Sequence, residues 1–126
     1  MLKNKAITLP IQKTDGIRVC VMRSIHDDYK FDLWYQALSP SKKLVEAYVI
    51  NHTLSWSDFK KAYLKEQKVN TIYFQSLIKL VKKAAAANLD VTLLCGEKDY
   101  HGCHREIILE KCLALDPTFA KFIASL

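Results

Sequence analysis

Apolar positions along the chain repeat in two different ways, and the two ways predict two kinds of element. Ile17-Arg18-Val19-Cys20-Val21-Met22 and Val91-Thr92-Leu93-Leu94-Cys95 are near-continuous apolar runs rich in β-branched residues. That is the pattern of strands covered on both faces, as in a parallel sheet. Ile7 to Ile11 reads as a short extended stretch closed by Pro10 and the polar run Gln12-Lys13-Thr14, and Asp15-Gly16 is a turn dipeptide. Elsewhere the spacing is helical. Phe31 to Leu38 is expected as a short helix with Leu33, Trp34 and Ala37 or Leu38 inward. Ser39-Pro40-Ser41 interrupts it, and Ser41 can cap a helix carrying Leu44, Val45 and Tyr48. Ser57 is read as the cap of a helix with Phe59, Ala62 and Tyr63 on one face. Thr71 opens the longest helix, with Tyr73, Leu77, Leu80, Val81 and Ala84 on one stripe and Asn88 as its stop. A further helix is expected from Cys103 to Leu115, with Ile108, Cys112 and Leu115 on its apolar face. Asp116-Pro117 begins a short last one anchored by Phe119, Phe122 and Ile123. Strands separated by helices predict an α/β fold: one compact domain over residues 1–126, its small and mainly parallel sheet flanked by helices.

Composition narrows the class without naming a substrate. A chain of 126 residues, half hydrophobic and a quarter charged, has the balance of one soluble globular domain. No apolar run approaches the roughly 20 residues of a membrane helix. Lys3, Lys5 and Pro10 interrupt the N-terminal stretch, which therefore lacks the unbroken apolar segment of a secretory signal; a cytoplasmic protein is the expectation. The net charge of +6 makes this a basic protein and is compatible with a polyanionic partner. Yet sixteen of the nineteen basic residues are Lys, the flexible and strongly hydrated cation. The pairs Lys42 and Lys43, Lys60 and Lys61, and Lys82 and Lys83 read as solvated helix faces. Trp34, Trp56, Tyr63 and Tyr73 lie on or beside apolar stripes, which makes them core anchors rather than base-stacking platforms.

The chemistry concentrates in Cys95-Gly96-Glu97-Lys98-Asp99-Tyr100-His101-Gly102-Cys103-His104-Arg105-Glu106, which leaves a strand and opens a helix. Ligands of open α/β sheets bind beyond the carboxyl ends of strands, where helix N-termini present free N–H groups. A helix dipole, the His104 imidazole and the Arg105 guanidinium all favour an anion, and all lower the pKa of a nearby thiol. If the two covered strands are parallel neighbours, Arg23 arrives at the same edge. Several readings are open at this point. Arg23, Arg105 and His104 can bind an anion, either a phosphate-bearing small molecule or a nucleic-acid group. Cys95, Glu97, Cys103 and His104 are the candidate catalytic residues for thiol or acid–base work. Nine residues separate Cys95 from Arg105, a wider gap than the loop of a thiol phosphatase.

Cys95, His101, Cys103 and His104 are acceptable zinc ligands by type. Their spacing is not a paired Cys-x-x-Cys arrangement, and the adjacency of Cys103 and His104 argues against both serving one ion. No metal or cofactor is assigned, and a small zinc site stays as an alternative. The remaining alternative is a noncatalytic interaction module, in which the cysteines pack and Arg105 with Glu97 or Glu106 braces the loop. Cys20, inside an apolar run, and Cys112, on an apolar helix face, read as packing residues. His26, in the polar loop after the first covered strand, reads as part of an exposed turn, with a base or ligand near the crevice as the alternative, and His52 reads as a surface or capping residue. No membrane or protein partner is indicated.

The order Asp15-Gly16-Ile17-Arg18-Val19, Asp32-Leu33-Trp34, Leu38-Ser39-Pro40-Ser41, Trp56-Ser57-Asp58-Phe59, Tyr63-Leu64 and Val91-Thr92-Leu93-Leu94-Cys95 resembles the YeaO-like proteins, in the family of the domain of unknown function numbered 488. Cys95-x-Glu97-Lys98-Asp99 followed by Cys103-His104-Arg105 is similar to the signature of the wider family. The resemblance runs from about residue 15 to about residue 115. It implies a small α/β domain and assigns no activity. YeaO-like members carry an Arg-Leu-Trp-Pro-Arg type segment where this chain has Arg23-Ser24-Ile25-His26-Asp27, so only Arg23 carries over.

Overall fold

The computed structural model describes residues 1–97 and 101–124. Four strands form one sheet: β1 (Leu2–Ala6), β2 (Ile17–Cys20), β3 (Leu33–Trp34) and β4 (Val91–Cys95). Their spatial order is β1-β4-β2-β3, and every pairing is parallel. Leu2 pairs with Val91 and Ala6 with Cys95 on one side of β4; Ile17 pairs with Val91 and Cys20 with Leu94 on the other. All five residues of β4 are buried, as its unbroken apolarity requires. The sheet is thus wholly parallel where a mainly parallel one was expected, and β2 and β4 are neighbours.

Two local expectations fail for one reason, edge position. The first strand is Leu2–Ala6, upstream of the predicted Ile7–Ile11 stretch. Its lysines alternate with Leu2, Asn4 and Ala6 and reach acids beside the sheet: Lys3 Nζ lies 2.8 Å from Asp90, and Lys5 Nζ 2.9 Å from Asp15. The segment predicted as a helix from Phe31 contains β3 instead, followed by a 3₁₀ turn at Gln36–Leu38. Leu33 and Trp34 pair with Val19 and Cys20 and are more than a third exposed, so that only Leu38 of the proposed inward set is buried. An edge strand carries few buried side chains, and its pattern mimics an amphipathic turn.

The helices are α1 (Lys42–Val45), α2 (Trp56–Glu66), α3 (Thr71–Ala86) and α4 (His104–Leu115). A π-helical turn, Glu46–Ile50, continues α1, and a 3₁₀ stretch, Pro117–Phe122, follows α4. Ser41 caps α1 by accepting from the Leu44 N–H. The cap of α2 is Ser55, accepting from Asp58 N–H, rather than Ser57. One core unites Val19, Val91 and Leu93 of the sheet with Phe59 and Tyr63 of α2, Phe74, Leu77 and Val81 of α3, and Ile108 and Cys112 of α4. Tyr73 and Leu115 lie outside it, exposed. Trp56 packs against it, whereas Trp34 faces solvent at the sheet edge. Alternate residues of the strands, Cys20 and Leu94, join Ile7 in a smaller cluster with Met22, Tyr29 and Phe31. Gly16, at φ +64°, lets the chain pass so close to Asp90 that a Cβ would sit 2.0 Å from the Asp90 carbonyl oxygen. Among the described residues no helix is long and apolar enough to cross a membrane.

Candidate active site

Parallel pairing places the carboxyl ends of β2 and β4 side by side, and the start of α4 returns to them. Cys95 is the last residue of β4, and Cys103 is the N-cap of α4, extended at φ −114° and ψ 151°. His104 and Arg105 are the first two residues of the helix, and both are buried. Cys95 Sγ, Cys103 Sγ and a ring nitrogen of His104 all lie within 4.8 Å of one another. The Glu97 carboxylate reaches back to them, accepting from the Cys95 thiol at 3.1 Å, with Cys103 Sγ at 3.6 Å from the same oxygen.

The His104 ring is fixed by its surroundings. Nε2 lies 2.7 Å from the Val21 carbonyl oxygen, which can only accept, so Nε2 carries a proton. Nδ1 is then the nitrogen that faces Cys103, 3.6 Å away. Adjacency in sequence does not separate the two side chains, because Cys103 is the cap and His104 the first helical residue.

Arg105 stands differently from the anion-clamp expectation. It is fully buried, and its guanidinium donates to the Lys5 carbonyl at 2.9 Å and to the Glu97 carbonyl at 2.7 Å. Its Nε–H donates to Cys103 Sγ at 3.4 Å. Among the described residues it forms no ion pair with a carboxylate, so Cys103 is the one acceptor that can carry a neutralising charge. The fork that sequence reasoning aimed at a ligand is turned onto the protein.

These contacts split the two thiols. Cys103 is held below the ordinary thiol range by the hydrogen bond from Cys95, with His104 and Arg105 adding to it against the opposing effect of burial. Cys95 is pushed up by its contact with the Cys103 sulfur, by burial, and by the negative charges of Cys103 and Glu97. The two shifts run in opposite directions, negative charge being favoured on Cys103 and a proton on Cys95. The N-terminus of the 12-residue α4 favours the same charge.

The cluster forms one wall of a cavity of about 450 Å³. Tyr48, Val49 and Phe59 supply apolar lining, and Arg23, His26 and Lys42 also line it. Arg23 is exposed just beyond β2, where Gln36 Nε2–H donates to its carbonyl and Trp34 Nε1–H to that of Met22. Tyr48 donates to the Gly102 carbonyl at 2.9 Å, tying the turn after α1 to the approach of α4. Tyr48 and Lys42 were not foreseen, since they come from a helix whose sequence shows only a capped amphipathic segment. His101 is exposed, 3.0 Å from Glu106, and His52 is exposed at φ 54°. Lys98 and Asp99 of the signature lie outside the described residues. Cys20 and Cys112 pack in the two apolar clusters, as expected, and all four cysteines are free.

No curated protein and no solved structure matches the chain. Residues 2–115 match the family model described as the active DUF488-N3 subclade, a span that includes β1 and begins upstream of the resemblance read from the sequence. With Cys95, Cys103, His104 and Arg105 all inside the matched span, the chain belongs to the DUF488 family.

Proposed function

We propose that the protein is a thiol-dependent enzyme in which Cys103 acts as nucleophile on a small phosphate-bearing molecule held in the cavity. The observation that carries this reading is the double contact of one sulfur: a buried guanidinium, without a carboxylate partner among the described residues, and an imidazole nitrogen both face Cys103 at a helix N-terminus. Activated thiols are built this way, with a cation to hold the thiolate and a base oriented by a third group. Here the Val21 carbonyl orients the base. Cys103 passes its proton to His104 Nδ1 and attacks the electrophilic centre; the bond to the leaving group breaks as His104 returns that proton to the leaving atom, and water then attacks the Cys103 adduct, releasing the group and restoring the Cys103 thiol. Arg23 and Lys42, which line the same cavity, hold the anionic group. A cavity of this size suits a small molecule better than a polynucleotide. The description of the matched subclade as active agrees with a site used for catalysis.

The test is native-state labelling with iodoacetamide at pH 7, each cysteine mapped by mass spectrometry. Cys103 is expected to label at least ~10-fold faster than Cys95, Cys20 and Cys112, in keeping with its thiolate character. Pyrophosphate is expected to slow that labelling in the wild type and not in Arg23→Ala. Labelling of all four only after unfolding would overturn the nucleophile, and unchanged protection in Arg23→Ala would overturn the anion contact.

A further inference from the structure

We infer that Cys95, Cys103, His104 and Glu97 also form a site for a zinc-type divalent ion, which occupies the nucleophile and silences it. The metal site is argued from geometry, and only the silencing rests on the enzymatic reading. Zinc takes thiolate sulfur at about 2.3 Å, imidazole nitrogen at about 2.0–2.1 Å and carboxylate oxygen at about 2.0–2.2 Å, which at tetrahedral angles sets sulfur about 3.5 Å from either lighter donor. Cys103 Sγ lies 3.6 Å from His104 Nδ1 and 3.6 Å from Glu97 Oε2. Cys95 Sγ lies 3.1 Å from that same oxygen. With the two sulfurs and the His104 nitrogen all within 4.8 Å of one another, closure onto one centre needs shifts of about 1 Å or less. Three donors are therefore already gathered around one centre, and the Glu97 carboxylate lies beside both sulfurs as the fourth.

The surroundings are those of a metal ligand set. His104 donates Nε2–H to a backbone carbonyl, which leaves the Nδ1 lone pair on the side of the thiols, as ligating histidines do. Arg105 Nε–H supports the Cys103 sulfur from outside the cluster. Two thiolates and a carboxylate carry three negative charges. A divalent ion cancels two of them and the Arg105 guanidinium the third, so the buried group becomes neutral overall. Two sulfurs and an imidazole select zinc over magnesium or calcium, which require oxygen donors. The adjoining cavity supplies the entry path.

The experiment titrates reduced, chelator-stripped full-length protein with Co²⁺, reads thiolate-to-cobalt charge transfer in the near ultraviolet, displaces the cobalt with Zn²⁺, and maps iodoacetamide labelling at each stage. One equivalent of Co²⁺ is expected to give the charge-transfer band, and Zn²⁺ to abolish Cys103 labelling. Cys95→Ser and Cys103→Ser should each halve the band and weaken binding at least ~10-fold, no less than the loss of a supporting partner does. Cys112→Ala should leave both unchanged. Absence of the band in the wild type, or a band that survives both serine variants, overturns the inference. If a serine variant fails to fold, the wild-type map decides, since unprotected Cys103 labelling with zinc bound overturns it too. Fast Cys103 labelling without a cobalt band would remove the metal site and keep the nucleophile; a cobalt band with slow labelling of the metal-free protein would do the reverse.

Discussion

Two arginines are buried in this molecule, and they are neutralised in different ways. Arg18, in β2, donates to Asp15 Oδ2 at 2.6 Å, and Asp15 also holds Lys5 Nζ at 2.9 Å. Arg105 is more completely buried and has no carboxylate partner among the described residues; its donors go to two carbonyls and one sulfur. A buried guanidinium stays charged, so its environment must supply the opposing charge. Around Arg18 a carboxylate does so: Asp15 is lowered although burial pulls it upward, because Lys5, the Gln12 N–H and Arg18 together outweigh that pull. Among the described residues, the ionisable group that Arg105 touches is the Cys103 thiol. The first arrangement fastens a turn to a sheet. The second stabilises a reactive atom with the same kind of contact.

Replacing Arg105 with Met is expected to have the largest effect. It keeps most of the side-chain volume but leaves the Lys5 and Glu97 carbonyls and the Cys103 sulfur without their donor, which should lower stability by about 3–5 kcal/mol, the cost of breaking a buried pair. Urea unfolding measures that loss, and native labelling of Cys103 at pH 7 should slow in the same variant. The double variant Arg105→Met with Cys103→Ser sharpens the contrast. If the sulfur is the counter-ion, the two losses overlap and the double variant costs less than their sum. Strict additivity would show that Arg105 serves the carbonyls alone.

Asp15→Asn probes the other arginine and should cost about 3 kcal/mol, because Arg18 and Lys5 then share no full negative charge. Cys103 labelling should remain at the wild-type rate, since the two networks have no side chain in common. A slowed rate would mean that they communicate through β1, where Lys5 contributes its ammonium to one and its carbonyl to the other.

Next in size is a pH dependence of stability. Cys103 binds its proton more weakly in the folded state than in the unfolded chain, where a thiol has its ordinary value near 8.5. Its contribution is complete above that value and is lost as pH falls towards the lowered one. Unfolding free energy should therefore rise with pH up to about 8.5, by at most about 1.4 kcal/mol per unit for one proton. Cys95, Cys20 and Cys112 are raised, so above about 8.5 the unfolded chain ionises first and stability falls again. Cys103→Ser should flatten the rising limb and keep the alkaline decline.

The two regions were not equally legible in the sequence. β4 and the start of α4 could be read because burial on both faces leaves an uninterrupted apolar run, and because Cys103-His104-Arg105 follows it at once. The convergence of β2 with β4 followed from the same logic. What the sequence concealed is where each donor is satisfied. Arg105 finds the carbonyl of Lys5, a hundred positions away, and His104 that of Val21; backbone acceptors leave no mark in residue identity. The Asp15 network was hidden for a related reason. Lys5 and Arg18 look like surface charges until β1 and β2 flank β4 and bring both to one carboxylate.

Cys112 sharpens the lesson at the smallest energy. It is as buried as Cys103, but its neighbours are apolar, and burial alone pushes its thiol up to about 12. If partners rather than burial decide reactivity, Cys112→Ala should cost only about 1 kcal/mol, the worth of one small buried side chain. It should leave Cys103 labelling, cobalt binding and the rising limb of the pH profile at wild-type values. Denaturation and labelling of a single preparation test this together. A change in Cys103 reactivity on removing a sulfur from the far end of α4 would show that helix position, and with it the dipole and cap, sets the thiolate more strongly than the side-chain contacts of His104 and Arg105.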